Sequence, residues 1–178
     1  AGPQLIVPRA WMEAQAALTL LGRRADVRYA VTVPRLEGLV GPLPLGAKTG
    51  SAELLAAVAR ATGTEITRRG GVLVLQPAGS GRHLAPLAAE IKSGDADRCR
   101  AAIFDLGESF RLEALPTLIG LLESQDATIR RSALLALGGF EGDFAHNEWP
   151  GRVSVFELPG VKLSTDTMMW VVEGASAP

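Results

Sequence analysis

Between residues 84 and 140 the chain repeats itself. Ala85-Pro-Leu-Ala-Ala-Glu-Ile-Lys-Ser-Gly-Asp95 lines up with Leu115-Pro-Thr-Leu-Ile-Gly-Leu-Leu-Glu-Ser-Gln-Asp126, with Pro86 and Pro116 separated by 30 residues, and Asp95/Asp126, Arg100/Arg131 and Leu106/Leu137 each by 31. A fixed period of this size points to stacked helical hairpins, in which each unit is too small to bury its apolar side alone and borrows its neighbour's. The apolar spacing predicts helices over 84–92, 96–106, 113–123 and 127–137, with Ile103, Leu106, Leu118, Leu122, Ile129, Ala133 and Leu137 facing inward. Replacing Leu118 or Leu134 with Ala is then expected to cost about 2–5 kcal/mol, the price of a core cavity. About two copies fall below the three or so that a solenoid needs, so other parts of the chain must help to cover them.

The second copy, Leu115-Pro-Thr-Leu-Ile-Gly-Leu-Leu-Glu-Ser-Gln-Asp-Ala-Thr-Ile-Arg-Arg-Ser-Ala-Leu-Leu-Ala-Leu-Gly138, resembles HEAT repeats of the short bacterial PBS-lyase type almost position by position. The first copy, 84–107, departs from that pattern at Asp97 and Cys99. The resemblance implies a scaffold for other proteins. Some members of that family act on bilin chromophores, but two repeats supply no deep apolar pocket with converging polar groups.

Residues 1–76 carry a different pattern. Leu5-Ile-Val7, stopped by Pro8, reads as an edge strand. Trp11, Ala14, Leu18 and Leu21 recur at helical spacing on one side of a helix ending near Gly22. Val27, Tyr29 and Val31 alternate as a strand's inward positions would, and Val40-Gly-Pro-Leu43 is a strand interrupted by proline. Ser51 is a good N-cap for a helix carrying Leu54, Leu55, Val58 and Ala61. Glu65–Arg68, the Gly70-Gly71 turn and Val72–Leu75 form a hairpin. The expected order is β-α-β-β-α-β-β.

Ala17-Leu-Thr-Leu-Leu21, Ala25-Asp-Val-Arg-Tyr29, the helix Ser51 to Gly63 ending in Ala-Thr-Gly63, and the hairpin Ile66 to Leu75 together resemble the short N-terminal domain of secretins and TonB-dependent receptors, called STN, over residues 4 to 76. Gly41-Pro-Leu-Pro44 and Lys48-Thr-Gly50 depart from its usual pattern. The resemblance implies a periplasmic domain that docks partner proteins and performs no chemistry.

Gln76-Pro-Ala-Gly-Ser-Gly81 has a linker's composition. The expected organisation is therefore an α+β small-sheet domain at 1–76, a linker at 77–83, an α-helical, HEAT-like hairpin segment at 84–140 and a short β-rich tail at 141–178. In the tail, Arg152–Leu158 alternates like a strand. Val161–Leu163 and Met168–Val172 are expected to return as one or two more, capping the open end of the helical segment or completing the first segment's sheet. The chain starts at Ala1-Gly-Pro3 without a methionine, a basic n-region or an apolar h-region, and so reads as a processed product or an excised piece.

Charge divides along the same lines: +4 over 1–76 (nine basic, five acidic), −1 over 77–140 (seven, eight) and −4 over 141–178 (two, six). The total of −1 supplies no general field for a phosphate backbone, which disfavours nucleic acid as a partner. The apolar runs are far short of the ~20 residues of a membrane-spanning helix.

Little in the sequence points to a reaction. One cysteine, Cys99, and two histidines, His83 and His146, complete none of the usual zinc ligand sets. Gly41 to Thr49 has the look of a phosphate-binding loop, but it carries one residue too many before Lys48 and two prolines without amide hydrogens, and reads as a surface loop. Asp143, His146 and Glu148 read as a solvated acidic turn, and His83 as a linker residue with no nucleophile placed beside it. Cys99, between Arg98 and Arg100, has a setting that lowers a thiol pKa, weighed against burial on a helix, which is the preferred reading. Arg23, Arg24 and Arg28, and separately Arg68 and Arg69, are basic patches suited to an acidic partner, this chain's own acidic tail included, against the default of a solvated surface. The expectation is a non-enzymatic protein–protein interaction scaffold of the bacterial cell envelope, with no catalytic residue, cofactor or metal. The alternative is an accessory signalling or assembly domain of an outer-membrane secretin or TonB-dependent receptor.

Overall fold

The computed structural model describes residues 4–7, 10–43, 48–79, 84–141, 149–161 and 163. It is a mixed α/β molecule with small sheets and six α-helices among those residues.

The layer that organises the rest is a three-stranded sheet. Strand β3 (Tyr29–Val31) runs parallel to β7 (Val72–Pro77), which pairs antiparallel with β6 (Thr64–Arg69) across the Gly70-Gly71 turn. Both turn glycines have positive φ, 53° and 82°, as a tight hairpin turn of this kind requires. β7 is buried on both faces, and its side chains sort by parity. Val72 and Val74 join one core with Ala30, while Leu73 and Leu75 join the other with Tyr29 and Val31. Strand β3 therefore buries all three of its residues, rather than only the alternating set that spacing suggests.

The core on the Leu73 face is filled by α1 (Ala14–Ala25) and α2 (Ser51–Thr62). Two small antiparallel ribbons flank them: β1 (Gln4–Ile6) with β5 (Lys48–Gly50), and β2 (Met12–Glu13) with β4 (Leu39–Val40). Three expectations are corrected here. Trp11 is outside α1, because Met12 and Glu13 pair with β4 and Ala14 N–H donates to Gly38 O at 2.9 Å, so the helix begins only after Glu13. It also runs through Gly22 to Ala25, with Asp26 taking the left-handed capping conformation. Ser51 is the first helical residue of α2, and the N-cap position belongs to Gly50, with no side-chain cap. Gly63 closes α2 at φ 63°.

On the other face lie α3 (Leu84–Ile91), α4 (Ala96–Glu108), α5 (Leu115–Gly120) and α6 (Ala127–Glu141). Short 3-10 turns at Leu112–Ala114 and Leu121–Glu123 extend α5 at both ends. The 31-residue period is visible in the hydrogen bonds. Ser93 Oγ accepts from Asp95 N, and Ser124 Oγ from Asp126 N; Asp95 then caps α4 by accepting from Asp97 N, as Asp126 caps α6 by accepting from Thr128 N. Ile103, Leu106, Leu118, Leu122, Ile129, Ala133 and Leu137 are all buried in this core, with Val72 and Val74. Leu134 is only partly buried at its edge.

The polar seam between the two halves centres on Arg111. Its guanidinium donates to Pro77 O (2.8 Å) and Gly79 O (2.6 Å) and pairs with Glu65 at 2.9 Å. Gln76 donates to Glu65 Oε1 and accepts from Leu112 N. Residues 77–79 of the expected linker are thus tied down, and 80–83 lie outside the described residues.

The tail does not form the strand expected over Arg152–Leu158. Gly151 to Val153 instead lie along β3, with Tyr29 N donating to Gly151 O and Val153 N to Tyr29 O, both at 2.8 Å. Ser154 then caps a 3-10 turn, Val155–Glu157. Val155, Leu158 and Val161, three residues apart, enter the helical core, so the spacing that matters here is three and not two. Lys162 and residues 164–178, including Met168–Val172, lie outside the described residues.

Candidate functional site

Helices α4 and α6 approach closely where Gly107 faces Ala136; a Cβ on Gly107 would come within 2.8 Å of the Ala136 Cβ. Beyond that contact their outer faces diverge into a groove of about 370 Å³. Its rims are Phe104 on α4 and Leu135 on α6, exposed to 64% and 71%. These two residues stand 31 apart, the period of the repeat, so the same position is a large exposed apolar residue in both copies. Arg100 and Arg131, also one period apart, precede them by one helical turn, and both are exposed. Arg100 pairs with Asp97.

Phe110 and Gly139 line the same groove. Phe110 holds φ at +48°, a conformation costly for a bulky residue, in the turn that ends α4. Its ring is kept there by an edge-on contact with Phe140, 5.9 Å between centroids. Gly139 leaves the room it needs: a Cβ there would lie 3.1 Å from the Phe110 ring.

Sequence reasoning missed Phe104 and Leu135 because it sought the inward positions of each helix. The available signal was that an apolar residue recurs at the repeat period out of phase with those positions.

Arg23 and Arg24 are exposed in the last turn of α1. Arg28 lies where the chain enters β3, its carbonyl accepting from Leu73 N on one side of β7, and Arg68 pairs with Leu73 across the other side. Arg28 and Arg68 are exposed, while Arg69 is half-buried.

The titratable groups that are shifted serve the architecture. The Glu65 carboxyl is held below its ordinary value by the Gln76 amide, then by Arg111, against the opposing effect of burial. Burial, helped by the charge of Asp126, pushes the Cys99 thiol up, the reverse of what flanking arginines would do. Burial also pushes the Tyr29 hydroxyl up to about 12. Lys48 and Thr49 lie in strand β5, paired with β1. His83, Asp143, His146 and Glu148 lie outside the described residues. Among the described residues no three His, Cys, Asp or Glu side chains cluster to hold a metal ion, and no helix is long and apolar enough to cross a membrane. Comparison with family models, with curated proteins and with solved structures finds no match to this chain.

Proposed function

We propose that this chain is a non-enzymatic adaptor that holds a partner protein on the outer face of α4 and α6. The observation that carries the reading is the pair Phe104 and Leu135, each more than half exposed at the same place in successive copies of the repeat. Exposed apolar residues scattered singly need no explanation, whereas an apolar pair rimming a formed groove is the usual anatomy of a docking surface. The strained Phe110 inside the groove supports it, because strain of this kind is retained where it serves a purpose. The likeness of 84–138 to HEAT repeats and of 4–76 to STN domains supports the role of scaffold and a place in the bacterial cell envelope.

The test is affinity capture from a bacterial envelope extract with the wild-type chain and with a Phe104→Ser/Leu135→Ser double variant. Both side chains are exposed, so melting should be unchanged within about 0.5 kcal/mol. Captured partners should fall about tenfold in the variant, the loss of one hot-spot contact or more. Equal recovery by both proteins would overturn the assignment of this face.

A further inference from the structure

A second groove, independent of the α4–α6 face, runs between the β2–β4 ribbon and the outer side of α1 and encloses about 690 Å³. Trp11 and Leu39 stand on its rim, exposed to 49% and 58%. Trp11 is held in place. A Cβ on Gly41 would fall 2.5 Å from its ring, so only glycine lets the ring lie against that backbone. The chain on either side is pinned as well, by Leu43 N–H donating to Ala10 O at 2.8 Å and Ala14 N–H to Gly38 O at 2.9 Å. An aromatic side chain fixed in this way loses little entropy on binding, which is what makes tryptophan an effective anchor.

Charge selects the occupant. Leu20 continues the apolar floor along α1, and Arg23 and Arg24 follow at the end of the same helix. Neither arginine makes an ion pair among the described residues. Glu13, at the opposite end of the groove, is the acidic residue on its lining. The site therefore joins an apolar anchor point to two adjacent guanidinium groups. Two cations beside a tryptophan and two leucines are too few for a nucleic-acid backbone, which binds through many phosphates at once.

We propose that this groove binds an acidic, apolar-anchored peptide segment of a partner protein, with its aromatic or aliphatic side chain against Trp11 and Leu39 and its carboxylates against Arg23 and Arg24. The proposal does not rest on the α4–α6 reading. Together the two surfaces would let one chain hold two different partners.

Fluorescence anisotropy with a labelled peptide, Leu-Phe-Asp-Asp-Leu-Asp-Glu, and its counterpart with lysine at every acidic position tests this directly. The acidic peptide should bind at least about tenfold more tightly than the lysine one, with an affinity that falls as salt is raised. Arg23→Gln/Arg24→Gln should abolish the preference, and Arg23→Glu/Arg24→Glu should reverse it. Leu39→Ser should weaken the acidic peptide, while Phe104→Ser/Leu135→Ser should leave it unchanged, which separates this site from the other. A preference for the acidic peptide that survives the charge reversal would overturn the proposal. So would light scattering showing a dimer that Leu39→Ser dissociates, because the occupant would then be a second copy of the chain.

Discussion

Gly22 and Gly151 meet backbone to backbone: a Cβ placed on Gly151 would lie 2.9 Å from the Cα of Gly22, and one on Gly22 would lie 1.9 Å from the Pro150 carbonyl oxygen. This crossing lets the 151–153 segment reach the edge of β3. Gly22→Ala sets two effects against each other. Alanine inside a helix gains about 1 kcal/mol over glycine, whereas an overlap with backbone that cannot yield costs about 1–3 kcal/mol and releases the two hydrogen bonds to Tyr29. The overlap should win, giving a net loss of about 2 kcal/mol in urea denaturation, with faster amide exchange at Val153. A variant more stable than wild type would show that the two backbones do not touch.

Arg111 is 7% exposed and meets two carbonyls and two carboxylates, Glu65 and Glu113, at once. Arg111→Met should cost about 3 kcal/mol, the low end for a broken buried pair, because Glu65 keeps contact with water. The acid limb of stability should change too. A carboxyl held below its unfolded value leaves the unfolded chain binding more protons between the two values, so stability falls as pH drops through the folded one. Releasing Glu65 from Arg111, or more so from Gln76 by Gln76→Leu, should shrink the stability difference between about pH 6 and about pH 3. An unchanged difference would mean that Glu65 is not held by these partners.

Tyr29 is the single tyrosine, so its titration can be followed by ultraviolet absorbance without interference from another. With its folded value pushed up to about 12 against 10.0 for the free group, the folded chain binds the proton more tightly, and stability should fall as pH rises through that window. The loss is on the order of 3 kcal/mol. Tyrosinate should appear together with unfolding. Ionisation near the ordinary value in a folded chain would show that Tyr29 is solvated. Its hydroxyl has no hydrogen-bond partner among the described residues, so Tyr29→Phe should leave stability unchanged or raise it by about 1 kcal/mol.

Leu118 is fully buried, whereas Leu134 sits at the edge of the same core. Leu118→Ala should cost about 3–5 kcal/mol and Leu134→Ala about half of that, since the cavity left at a partly exposed site opens to water. Equal losses in calorimetry would place Leu134 deeper than it lies here.

Much of this arrangement was legible in the residues. The helical positions in 84–140 follow the apolar spacing, and Asp95 and Asp126 mark the starts of α4 and α6 because both cap them. The hairpin at Gly70-Gly71 follows from what glycine permits. Trp11 misled because its spacing to Ala14 and Leu18 suits a helix, and only the long-range pairing of β2 with β4 removes it. Arg152–Leu158 misled for a similar reason: its alternation is real, but Ser154 caps a turn and the buried residues fall three apart. Of the partners of Arg111 only Glu113 is local; those at 65, 77 and 79, which give it its role in the seam, come together only through the fold. Val72–Leu75 did carry a sign that went unused: four successive apolar residues without alternation indicate a strand covered on both sides.

That strand sets the terms on which the molecule can be cut or rebuilt. Excising the helical half would bare Val72 and Val74 of β7, and excising the first half would take from the helical core the strand that covers it, so a truncated piece would be sticky rather than merely shorter. Any graft that replaces the helical half has to present apolar atoms to Val72 and Val74.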